Sequence, residues 1–236
     1  MAEQLGKIKK PSAESFKNTR KLYLVPLVYC GKDAPPEYTE LATRYWQQTT
    51  DQLDKLETKI GKTARVYHEL LSTSGEEGLH ILESLNTSSC QIARNKCQAE
   101  AVLEASEDRE LVEETMDCER CFLFGFASKR VAHTISELYS EASKKRYEFI
   151  AEKINETLKE NEAGLLFIRE GHGVQFAKDI EVFSVYPPAL DEIHRWLRDH
   201  QTPSFKKERK ESRPENKPED KPKAKPRARK KKASSD

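Results

Sequence analysis

Residues 21–29, KLYLVPLVY, show no alternation of polar and apolar side chains. A strand that is apolar on both faces must be covered on both faces, so it cannot lie on the open side of a sheet. The run GLLFIR at 164–169 has the same character. Between these two lie roughly 130 residues, which hold one further strand at 64–71 and several helical patterns. A fourth strand, DIEVFSV, follows at 179–185. These runs require a small, well-covered sheet of about four strands. Pro26 cannot donate to a ladder, which places the first strand at an edge or a bulge.

The helical patterns are long. Tyr38, Leu41, Tyr45, Leu53, Leu56 and Ile60 recur at three- and four-residue steps after Pro35-Pro36, and Gly61 closes the run. This spacing predicts one amphipathic helix over 36–61. Ser74 with Glu77 has the spacing of a capping box, which predicts a short helix to Leu85. Further helices are expected over 88–105, 107–123 and 128–160, so a helical block fills about 74–160. A final helix opens at Pro187-Pro188 and ends near His200. The helix at 128–160 outlasts any strand and must project as an arm or join a helical layer. The fold class is α+β, a mixed α/β body over 21–200. The helical block argues against a strictly alternating, doubly wound chain.

Charge divides the chain into three parts. Charged residues make up 34% of the sequence, above the roughly 25% of ordinary domains, yet the net charge is only +1. Residues 205–236 hold 14 Lys and Arg against 6 Asp and Glu, a net of +8. Residues 1–21 hold 6 against 2, a net of +4, and residues 22–204 hold 21 against 32, a net of −11. Residues 1–20 are expected to be a flexible basic arm. Residues 201–236 are too poor in apolar side chains to offset their ordering entropy and are expected to be disordered.

Within that tail, Lys221, Lys223, Lys225, Arg227, Arg229, Lys230, Lys231 and Lys232 fall in twelve residues. Cations on an extended chain follow a phosphate backbone and release its counterions without any fold. Nucleic acid or another polyanion is the expected partner. The acidic run 107–119 places Glu107, Glu110, Glu114 and Asp117 on one helical face, a solvated face and a dock for a basic protein partner.

The chain holds five cysteines, and the N-terminal residues lack an apolar signal core, so reduced thiols and a cytoplasmic location (nuclear in a eukaryote) are expected. No run approaches membrane-spanning length. Cys90 and Cys97, with Cys118 and Cys121, are metal candidates if two helices bring them together. Buried apolar packing accounts for them more simply. IGKT at 60–63 lacks the first glycine of a phosphate loop, because Leu56 stands there. No motif for a cofactor is present.

REGHGVQF at 169–176 is the remaining feature. Lying between two apolar strands, its glycines predict a hairpin loop. The functional reading uses the missing side chains to bring His172 close to a substrate, with Glu170 orienting it and Gln175 assisting. The leading expectation is a non-enzymatic binding or adaptor protein whose tail contacts nucleic acid or a ribonucleoprotein. The alternatives are a hydrolase-like enzyme at Glu170–Gln175 and a cysteine-based metal or redox protein.

Overall fold

The computed structural model describes Phe16 and residues 19–200. Five strands form one sheet: β1 (Arg20–Pro26), β2 (Thr63–His68), β3 (Val102–Leu103), β4 (Ala163–Ile168) and β5 (Ile180–Ser184). Six helices accompany them: α1 (Pro36–Ile60), α2 (Gly75–Leu85), α3 (Thr87–Gln98), α4 (Arg109–Phe124), α5 (Lys129–Thr157) and α6 (Pro188–His200). The class is mixed α/β, as the composition of strands and helices required. The polybasic residues 221–232 and the arm up to residue 15 lie outside the described residues.

The sheet order is β3-β2-β4-β1-β5, and every neighbouring pair is parallel. β1 is therefore an inner strand, which corrects the edge or bulge expected from Pro26. Alternate residues of a strand turn their backbone groups to opposite neighbours. Leu27 N–H bonds Ile168 on the β4 side, and Leu24 C=O accepts from Val185 on the β5 side. By alternation, the N–H that Pro26 lacks would face β5, whose pairing with β1 ends at Leu24 and Ser184. The missing donor falls where no ladder remains.

β3 is a fifth strand inside what reads as helix over 88–105. The helix stops at Gln98, Glu100 turns with φ of 75°, and Val102 and Leu103 pair with Arg65 and Val66. Two residues are too short to show a period. The Ser74 hydroxyl makes no capping bond. The side chains that do cap are Asn86, Asp108 and Ser128, each accepting from the backbone three residues on.

Both faces of the sheet are covered. Tyr45 on α1 donates to Pro26 O, and the Trp46 ring lies 6.2 Å from Phe167, which places α1 on one face. On the other face, Leu22, Leu24, Leu166 and Ile168 pack with Ile150, Ile154 and Leu158 at α5. α6 lies beside α1 through Arg44–Glu192 and the Tyr38–Trp196 ring contact at 4.9 Å. α4 and α5 form an antiparallel hairpin across residues 125–128, with Glu119 and Phe122 against Tyr139 and Glu107 against Arg146.

β4 and β5 do not form a hairpin. Both run parallel to β1, one on each side of it. The chain from 169 to 179 is therefore a crossover that returns to the start of β5. It does so without a helix, with Val174, Phe176 and Ala177 packed on the α5 face. Turn chemistry identified a break at the glycines but not the direction in which the next strand runs.

Candidate functional site at the carboxyl edge

β1 and β4 are neighbours whose exits diverge. The chain leaves β1 for α1 on one face, and it leaves β4 for the crossover on the other. Such a switch point opens a crevice beyond the carboxyl ends of parallel strands, the usual place for a ligand in this architecture. Here it is a cavity of about 70 Å³. Pro26, Ile168, Arg169, Glu170, His172 and Tyr186 are among its walls.

The crossover explains how His172 comes to stand there. Gly171 adopts φ of 72°, which an L side chain rarely takes, and this turns the chain out of β4. Gly173 lies against the Tyr147 ring, and a Cβ there would sit 3.0 Å from Tyr147 Cδ2. His172 is held between these two constraints, half-buried, with its ring 6.0 Å from Phe176. Its Nδ1 is shielded from solvent and has no hydrogen-bond partner among the described residues. Burial pushes its pKa below the ordinary histidine value, partly opposed by the negative charge of Glu69. The imidazole is thus neutral at pH 7.

The three residues singled out from the sequence are not one constellation. Glu170 shares the crevice with His172 but bonds His194 of α6, Nε2 to Oε2 at 2.7 Å. It does not orient His172. Gln175 donates to Gly173 O at 3.4 Å and lines a separate groove of about 800 Å³ with Tyr139 and Tyr147. The direction of the crossover separates them: after Gly173 the chain has left the edge and runs down the α5 face.

Behind the crevice lies a charge network that no motif announced. Glu69, Glu107 and Arg146 are 1%, 2% and 3% exposed. Arg146 bonds Glu107 twice, at 2.6 and 2.8 Å, and Glu69 at 3.1 Å. Glu69 also accepts the backbone N–H of Arg169 at 2.6 Å and bonds the Arg169 guanidinium. That guanidinium reaches Glu119 on α4 at 3.0 Å, and Glu107 accepts the N–H of Leu70. Burial pushes the Glu107 carboxyl above the usual range, and Arg146 pulls it back only in part. Burial weakens the Arg169 guanidinium, but its two carboxylates outweigh this and hold it more basic than an ordinary arginine. Beside the network, Tyr29 is pushed up to about 12 by burial and by Glu69. The network anchors Arg169, the first residue of the crossover, and so fixes the floor from which His172 projects.

The chain matches no protein-family model, no curated protein and no solved structure.

His68, at the end of β2, is fully buried. Its Nδ1 lies 2.6 Å from Glu69 O, so this nitrogen carries the proton, and Nε2 lies 2.9 Å from Ser89 Oγ. Burial lowers its pKa to about 4. It is a satisfied neutral imidazole that ties β2 to α3.

The cysteine and acid candidates separate. Cys90 is buried and its thiol points to Leu79 O at 3.5 Å. Cys118 is buried in α4, which pairs with α5. Among the described residues, no group of three or more His, Cys, Asp or Glu is placed to hold a metal ion. Glu107 leaves the acidic face assigned to it, because α4 begins at Arg109 and Glu107 turns inward to Arg146. No helix among the described residues is long and apolar enough to cross a membrane.

Proposed function

We propose that this chain binds a small polar ligand in the crevice between β1 and β4 and acts on it by acid–base chemistry at His172. The observation that carries this reading is the shielded, unpartnered Nδ1 of His172 beside the switch-point cavity. A buried polar atom without a partner costs free energy unless a ligand or solvent completes it. A cavity of about 70 Å³ takes the reacting end of a ligand rather than the whole of it. A neutral imidazole suits proton abstraction from water or from a substrate hydroxyl.

The test is a thermal-shift panel of nucleotides, sugar phosphates and small carboxylic acids on the full chain. A compound that raises the melting temperature of the wild type should lose that effect in His172→Ala. It should keep it in Gln175→Ala, whose side chain lines the separate groove. Equal shifts in wild type and His172→Ala, or loss in Gln175→Ala alone, would overturn the assignment.

A second reading concerns the tail. Eight cations within residues 221–232 support binding of nucleic acid or another polyanion. Affinity should fall steeply with salt, and truncation after His200 should abolish it. Binding that is insensitive to salt, or that survives truncation, would defeat this reading.

A further inference from the structure

We infer that the group received by the crevice is a pair of adjacent hydroxyls, the end of a sugar or another polyol, and that Glu170 recognises it together with His172. The inference rests on the crevice being the binding site proposed above. It follows from the hydrogen-bonding capacity that the walls leave unused. Nδ1 of His172 is shielded and has no partner among the described residues. Glu170 gives Oε2 to His194 at 2.7 Å, and its Oε1 makes no hydrogen bond among the described residues. The two residues flank Gly171, and both line one cavity of about 70 Å³. A space of that size holds one end of a ligand, so neighbouring atoms of that end must answer both groups.

Charge excludes an anionic end. Besides the neutral His172, Arg169 is the one basic residue of the walls. Its guanidinium is already held by Glu69 and, at 3.0 Å, by Glu119. A carboxylate or phosphate would stand beside Glu170 with no free cation to offset the repulsion.

The direction of the hydrogen bonds narrows the choice further. A carboxylate oxygen only accepts, so the atom that meets Oε1 must donate. A neutral imidazole presents Nδ1 as donor in one tautomer and as acceptor in the other. An ammonium only donates and a carbonyl only accepts. A hydroxyl does both, so it suits Nδ1 in either tautomer while its neighbour donates to Glu170. The other walls suit a carbon frame. Leu24, Pro26 and Ile168 are apolar, and the Tyr186 ring, 54% exposed, offers its face to the C–H side of a sugar ring. His194 then has a positioning role, holding Oε2 so that Oε1 is left for the ligand.

Thermal shift of the full chain, titrated separately with ribose, lactate and ethylamine, tests this. Ribose should raise the melting temperature of the wild type, and His172→Ala should lose that response. Glu170→Gln should need at least about tenfold more ribose for the same shift. The general stabilisation that sugars give by exclusion is common to all variants and cancels. His194→Gln, which can still donate to Oε2, should stay within about threefold of the wild type. Lactate or ethylamine acting through His172 in place of ribose would overturn the inference and leave the site standing. A ribose response unchanged in Glu170→Gln would overturn it too. If no response depends on His172, the binding site itself fails, and the inference with it.

Discussion

The carboxyl edge and the hairpin tip reverse the usual arrangement of a folded chain. At the edge, Glu69, Glu107 and Arg146 are buried charges. At the tip, Leu123 and Phe124 are apolar side chains in water. The edge is stable because each buried charge has an opposite charge and a directed hydrogen bond, which offset its desolvation. The tip is tolerated because exposing a few apolar side chains costs little while the helices beneath hold their own seam. A buried charge without its partner is far more costly than an exposed leucine, so the two regions should respond very differently to substitution.

The largest effect belongs to the edge. Arg146→Met leaves Glu69 and Glu107 buried without their shared cation and should cost about 3–5 kcal/mol, measured by urea unfolding. A loss of less than a quarter of that would mean the cluster is hydrated rather than buried.

Next is the pH dependence set by His68. Its folded pKa of about 4 lies below the unfolded value, so the unfolded chain binds the extra proton between them. Its contribution is complete above about pH 6.5 and falls by about 3 kcal/mol as pH drops to 4. Glu107, whose pKa is raised, contributes with the opposite sign. Unfolding free energies of wild type and His68→Gln across this window isolate the histidine, because only the wild type should show its slope.

A smaller effect lies beneath the edge, where β4 passes between two faces. A Cβ at Gly164 would meet Leu22 Cδ1 and Tyr67 Cε2 at 3.0 Å. Gly164→Ala should cost about 1–3 kcal/mol through overpacking. A neutral result in thermal unfolding would show that the two side chains move aside freely.

The smallest effect belongs to the tip. Leu123→Glu with Phe124→Glu should change the stability of the chain by no more than about 0.5 kcal/mol, measured by urea unfolding. A larger loss would mean that these side chains support the fold.

The sequence predicted the long helices closely, because a 3.6-residue period sustained over many residues needs no knowledge of what covers it. α1 runs Pro36–Ile60 against an expected 36–61, and α5 runs Lys129–Thr157 against 128–160. The apolar runs at 21–29 and 164–169 correctly required cover on both sides. His172 was legible as the unusual residue because glycines flank it. Its partners were not: Glu170 turned to His194, and Gln175 followed the crossover to the other face.

By itself, then, the sequence determined the long helices and four of the five strands, that the sheet is covered on both faces, and that charge is segregated along the chain. Only the tertiary structure decided the strand order, the parallel direction of β4 and β5, and the meeting of Glu69, Glu107, Arg146 and Arg169. Periodicity is a property of neighbours in sequence. Strand pairing and charge pairing join residues as many as 160 positions apart, as Arg20 and Ile180 are, and no local pattern encodes that choice.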